Sequence, residues 1–185
     1  SAASDVYKRQ IYIEGYLLVN EPLVRSTMEK AKKLGLKVTL DLSNFNIVNA
    51  FKGMLEDIIP KYVDILFSNE SEAEAFTGQK AAEAVHTLSE LVEVSLVTLG
   101  KEGALIGSHG QFYSVPAEGG KPVDTTGAGD NFAAGFLYGQ SIGASLVQSA
   151  RIGSMLAGYV IDVVGPEIPY DKWEQIKLKV KGILA

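Results

Sequence analysis

Apolar and polar positions along the chain alternate between short β-rich runs and stretches of helical period. Residues 11–19 are apolar and rich in β-formers, which predicts a first strand. Glu21-Pro22 then opens a helix running to about Leu34, with Leu23, Met28, Ala31 and Leu34 on one face and Gly35 as its stop. Residues 36–42 predict a short buried strand that places Asp41 near its carboxyl end. A polar loop or helix start over 43–49 leads into a helix to about Ile59, and 63–67 predict the third strand. Helical pieces over 73–78 and 79–92 are divided by Thr77-Gly78, and 94–99 form another apolar strand. Residues 104–107 and 111–115 predict a hairpin over Ser108-His109-Gly110. Three helices complete the pattern: from Asp130 to about Ile142, over 146–163, and over 170–183. Strand alternating with helix argues for a mostly parallel sheet covered by helices on both faces.

Composition narrows the chemistry. With 185 residues, 46% of them hydrophobic, the chain can bury one sizeable core, and residues 11–185 read as a single globular domain. The polar, aperiodic start over 1–10 reads as a frayed or non-native leader. Seventeen basic residues against 22 acidic ones give a net charge of −5, which argues against nucleic acid or an anionic membrane as the main partner. No apolar run approaches the length of a membrane span, and a cytoplasmic setting is the expectation. With no cysteine and only His86 and His109, thiolate sites and histidine clusters lack material.

The chemistry concentrates in residues 123–136, where Asp124 and Asp130 stand six residues apart among threonines and glycines. Glycines before a helix let backbone N–H groups converge, and the helix start adds partial positive charge. Such a place holds phosphate oxygens. Asp130 is odd as anion-binding furniture, because its charge repels the anion. It makes sense as a base that takes a proton from a hydroxyl while Gly127, Ala128 and Gly129 stabilise a transferring phosphoryl group. An ordinary capped helix with an acid in its first turn is the competing reading. Neither a P-loop nor a G-x-G-x-x-G pattern is present, since Gly100-Lys101 is followed by Glu102.

The wording DTTGAGDNFAAGFL, from Asp124 to Leu137, resembles the C-terminal signature of the ribokinase-like (PfkB) carbohydrate and nucleoside kinases. That resemblance implies a three-layer α/β/α ribokinase-like fold, with Asp130 as catalytic base and Gly127, Ala128 and Gly129 as anion hole. The cofactors it implies are ATP and Mg²⁺. Asn69 and Glu72 match the family's N-x-x-E motif, which helps hold the Mg²⁺ of the nucleotide; read alone, the same residues are a helix cap with acids in the first turn. In the turn after the strand at 94–99, the resemblance brings Thr98, Gly100, Lys101 and Gly103 to the nucleotide. Ser154 stands where ribokinase-type sequences carry an adenine-side asparagine, and Asp124 and Thr126 align with a monovalent-cation (K⁺) site of some members.

By the same resemblance, the glycine-glycine motif, the early substrate-binding Asp and the sheet lid of the family's first half do not match anywhere in this chain. The expectation is therefore the C-terminal, nucleotide-binding and base-carrying part of a longer kinase, poorly active by itself and prone to self-association. The partner class is a small sugar or nucleoside. Ile13-Glu14-Gly15-Tyr16-Leu17 and the signature wording look similar to adenosine kinase-like members. Two rivals stand beside this: a non-catalytic nucleotide-binding or assembly module, and a hydroxymethyl-pyrimidine or pyridoxal kinase.

Overall fold

The computed structural model describes residues 10–119 and 122–185. The expected leader falls mostly outside that range, but Gln10 is already paired in the first strand. The chain gathers into two compact units. One runs to Leu99 and takes in Leu105–Tyr113; the other comprises Gly100–Ala104 and Ser114–Ala185.

The strands form one six-stranded sheet in the order β1 to β6, and β1 to β4 belong wholly to the first unit. The strands are β1 (Gln10–Glu14), β2 (Lys37–Asp41), β3 (Ile65–Asn69), β4 (Val94–Thr98), β5 (Ala104–Ser108) and β6 (Gln111–Val115). β1 to β4 are parallel, in a register that pairs Glu14 with Asp41 and Asn69 with Thr98. Consecutive residues Val38, Thr39 and Leu40, and likewise Val94 through Val97, are all buried. Successive strand residues point to opposite faces, so both faces of the central strands are covered, as the α/β/α expectation requires.

The crossovers are helical: α1 (Glu21–Lys33), α2 (Phe45–Ala50), α3 (Lys52–Tyr62), α4 (Glu70–Thr77) and α5 (Ala81–Ser89). Val24, Met28 and Ala31 of α1, Leu55, Ile58 and Ile59 of α3, and Ala84, Val85 and Leu88 of α5 join Leu40, Leu66 and Val97 in one core. Burying each Val, Leu, Ile or Met among them contributes about 1.5–3 kcal/mol.

Several boundaries differ from the sequence reading. The first strand ends at Glu14, and residues 15–19 form a 3₁₀ turn. A Cβ on Gly15 would lie 2.6 Å from the Leu42 carbonyl oxygen, so the backbone there fits only glycine. The helix expected to end at Ile59 breaks at Phe51 and resumes through Pro60 to Tyr62. Pro60 lies in its last turn, where its missing N–H leaves the Glu56 carbonyl without its intrahelical donor.

The second unit is built on α6 (Ala128–Ser141), α7 (Leu146–Ile161) and α8 (Trp173–Leu184). A Cβ on Gly135 would come 2.7 Å from Gly153 Cα, and one on Gly139 would come 2.6 Å from Ser149 Oγ. Gly135 and Gly139 thus let α7 approach. Ile152, Met155, Leu156 and Val160 of α7 meet Ile176 and Ile183 of α8 in a separate core. Among the described residues no helix is long and apolar enough to cross a membrane.

Candidate functional site

Polar residues close the four parallel strands in turn: Glu14, Asp41, Asn69 and Thr98 are each the last residue of β1, β2, β3 and β4. This carboxyl edge is where open α/β sheets bind ligands. Tyr12 donates its hydroxyl to Asp41 Oδ2 at 2.9 Å, and the Ser43 amide donates to Asp41 Oδ1 at 2.7 Å. Ser43, at φ 61°, donates its hydroxyl to Glu14 Oε2 and accepts from the Gly15 amide. Burial, and then the charge of Asp41, pushes the Tyr12 hydroxyl well above its ordinary range. Sequence reasoning found Asp41 but missed Tyr12, Glu14 and Ser43. Their signal was available, since each lies within two residues of a strand's carboxyl end.

Asn69 and Glu72 form a reciprocal capping box at the start of α4. Asn69 Oδ1 accepts from the Glu72 amide at 3.0 Å, and Glu72 Oε2 accepts from the Asn69 amide at 2.8 Å. Asn69 Nδ2 donates to Glu72 Oε1 at 2.7 Å, and Ser71 adds its hydroxyl to Asn69 Oδ1. Glu72 is only 4% exposed. Burial pushes its carboxyl up to about 7, with the negative charge of Asp41 adding to the rise and the Asn69 amide opposing it. Both Glu72 oxygens are committed to Asn69, so this donor set fits Mg²⁺ held through water rather than by direct ligation. Among the described residues, three or more carboxylates or histidines do not gather into a metal cluster.

In the second unit the loop entering α6 is anchored at Asp124. Its Oδ1 accepts from the Thr126 amide at 2.9 Å and the Thr126 hydroxyl at 2.7 Å, and its Oδ2 accepts from the Gly165 amide at 2.9 Å. These donors, Gly165 first, hold the Asp124 carboxyl below its usual range. Asp124 and Thr126, the pair that the resemblance aligned with a K⁺ site, are thus hydrogen-bonded to each other.

Gly127 is the N-cap of α6 at φ 77°, and it has no side chain with which to cap. The helix begins at Ala128, earlier than the pattern suggested, so Asp130 lies in its first turn and is exposed. Ala128 donates its amide to the Thr125 carbonyl at a long 3.2 Å. A Cβ built on Gly129 meets nothing within 4 Å. Glycine at 129 is thus not demanded by the fold, and the space in front of it is open. An uncapped helix start with an open approach fits a phosphate group.

Thr98 ends β4 and donates its hydroxyl to the Ser68 carbonyl at 3.4 Å. Gly100 (φ 56°) opens a 3₁₀ turn that includes the exposed Lys101. Gly103 (φ 101°) could bear no side chain, since a Cβ would fall 1.9 Å from the Val115 carbonyl oxygen. The buried Ser154 hydroxyl donates to the Pro116 carbonyl at 2.8 Å and accepts from the Glu118 amide at 2.9 Å, which ties α7 to the loop after β6. A concavity of about 470 Å³ between α7 and α8, lined by Met155, Gly158, Tyr159 and Lys179 among others, includes none of residues 127–130.

A family model for pfkB family carbohydrate kinases matches residues 8–173. The chain is 33% identical to adenosine kinase of Saccharomyces cerevisiae over 87% of its own length and 52% of that protein's. The crystal structure of adenosine kinase from Sinorhizobium meliloti superposes with a TM-score of 0.86 at 30% identity, over 95% of this chain and 56% of that one. A probable sugar kinase from Rhizobium etli superposes with a TM-score of 0.87 at 31% identity, over 95% and 54%. The chain thus spans about half the length of the relatives it matches.

Proposed function

The chain belongs to the pfkB family of carbohydrate kinases, and on that premise we propose that it is the nucleotide-binding, base-carrying part of an ATP-dependent kinase acting on a sugar or nucleoside hydroxyl. The carrying observation is the start of α6, where an uncapped turn, an open glycine and an exposed acid occupy four consecutive residues. A merely structural helix start gains nothing from leaving its amides uncapped.

ATP bound with Mg²⁺ supplies the phosphoryl group and its leaving ADP. Asp130 accepts the proton of the acceptor hydroxyl as its oxygen bonds to the γ-phosphorus. The amides of Gly127, Ala128 and Gly129 face the negative charge that develops on the phosphoryl oxygens. Asn69 and Glu72 would hold the Mg²⁺ through water, and Thr98, Gly100, Lys101 and Gly103 would contact the nucleotide. Ser154 serves the nucleotide through the loop it holds rather than by direct contact. Kinases of this type need the acceptor positioned and water excluded, so slow turnover is the expectation for these 185 residues alone.

Among acceptors, an adenosine-type nucleoside is favoured by two relatives named adenosine kinase at 33% and 30% identity. A sugar is the second reading, favoured by the Rhizobium etli structure. A non-catalytic module fits less well, since pure binding has no use for a carboxylate beside phosphate.

Calorimetric titration with ATP–Mg²⁺, on this chain and on Asp130→Asn, tests the proposal. Binding that is retained or tightened in the variant supports a base; binding lost only in the variant means that Asp130 is an anchor. If neither chain binds, the nucleotide reading is overturned for these residues.

A further inference from the structure

We propose that Asn131 is the positioning residue of the phosphate-binding turn and acts through the carbonyl of Gly127; this rests on the phosphoryl-transfer reading above. The Gly127 carbonyl accepts two bonds from the same residue, from the Asn131 amide and from Asn131 Nδ2, both at 2.9 Å. The first belongs to any helix. The second is an addition that only a side-chain donor four residues on can make.

Its effect follows from the planarity of the peptide group. Fixing the Gly127 carbonyl adds to the long 3.2 Å bond from the Ala128 N–H to the Thr125 carbonyl in fixing that shared peptide plane, and with it the direction in which the turn presents its amides. Gly127 does not hold that orientation by itself. Glycine visits positive and negative φ about equally, so its φ of 77° needs a restraint from outside.

A second restraint comes from the loop over 164–166. Asn131 Nδ2 also reaches the Pro166 carbonyl at 3.3 Å, and the Pro166 ring fills the place a Gly127 Cβ would take, 2.8 Å from that position. The Gly165 amide is bonded in turn to Asp124 Oδ2. The turn is therefore tied to one neighbouring loop at both its ends, by Asp124 before it and Asn131 after it. Asparagine is a poor helix former, and its cost in the first turn of α6 is offset by this restraint.

The test compares Asn131→Thr with Asn131→Val, two side chains of one shape. A threonine hydroxyl can donate to the carbonyl four residues back, as helix threonines do, and valine cannot. Thermal midpoints of the two variants are expected to agree within a few degrees. ATP–Mg²⁺ affinity is expected to stay within about twofold of the parent for Thr and to fall about tenfold for Val, the loss of roughly one hydrogen bond. Equal affinities for Thr and Val overturn the proposal. Hydrogen exchange in the nucleotide-free protein provides an arm that does not depend on binding. Faster exchange of the Ala128 and Gly129 amides in Val than in Thr supports the restraint, and equal rates overturn it. A parent chain that fails to bind ATP–Mg²⁺ removes the phosphoryl-transfer reading, and the exchange rates then decide the restraint alone.

Discussion

Gly135 of α6 and Gly153 of α7 face each other so closely that a β-carbon on Gly135 would lie 2.7 Å from the Gly153 Cα. Backbone, not a side chain that could swing aside, occupies the space. Gly135→Ala is therefore expected to lower stability by about 1–3 kcal/mol, although alanine is the better helix former. Denaturant unfolding of the variant beside the parent measures this. An unchanged or raised midpoint would mean that the helices separate freely.

Gly129 provides the opposite case. Its Cβ would meet open space and its φ is not left-handed, so Gly129→Ala should leave the fold intact and raise helix stability by up to about 1 kcal/mol. The added methyl group would stand in the open space that the proposed phosphate site requires. Thermal melting and ATP–Mg²⁺ titration should therefore diverge, with the midpoint held or raised and affinity reduced about tenfold or more. A variant that melts higher and binds as well as the parent would remove Gly129 from the site.

Glu72 makes stability depend on pH in a direction unusual for a carboxylate. Its folded value is about 7 against an ordinary 4.5, so between those values the folded state keeps a proton the unfolded chain has released. Stability is thus expected to fall as pH rises from 4.5 to 7 and to level off above, by an amount on the order of 3 kcal/mol. Glu72→Gln keeps an amide able to complete the capping box and carries no charge to bury. Urea unfolding at pH 5 and pH 8 is expected to show this loss in the parent and to lack it in the variant. Identical pH dependence in both chains would assign the effect to other groups.

Beyond β1, exposed apolar side chains follow in close succession: Tyr16 at 56%, Leu17 at 45%, Val19 at 72% and Leu23 at 48%. β1 also stands at one end of the strand order. An edge strand beside an apolar patch invites association. Sedimentation of the chain is expected to show mass rising with concentration, and Leu17→Lys with Val19→Lys is expected to suppress it. A single monomeric species across the range would remove this surface from consideration.

Much of this was legible in the residues because periodicity and turn chemistry are local. The parallel strands, the helix from Glu21 and the signature from Asp124 to Leu137 declare themselves within a dozen residues each. What was not legible depends on partners distant in the chain. Residues 15–19 look like more strand, and the Leu42 carbonyl that leaves Gly15 no room for a side chain comes from far along the chain. Asn69 and Glu72 can be read as a cap or as metal support; the structure draws the capping box explicitly, with all of its hydrogen bonds inside the motif. Ser154 aligns with a base-contacting position, yet its hydroxyl is spent on Pro116 and Glu118, far away in sequence. The close approach of α6 and α7 at their glycines likewise belongs to two helices at once.

The four strand ends at Glu14, Asp41, Asn69 and Thr98 carry a consequence for how this chain can change over generations. Each side chain reaches the rim only because its strand has its present length. One residue gained or lost inside a strand would move the terminal group by about 3.3 Å and turn it to the opposite face of the sheet. Insertions and deletions are therefore confined to the connections, and the strands can accept only substitutions.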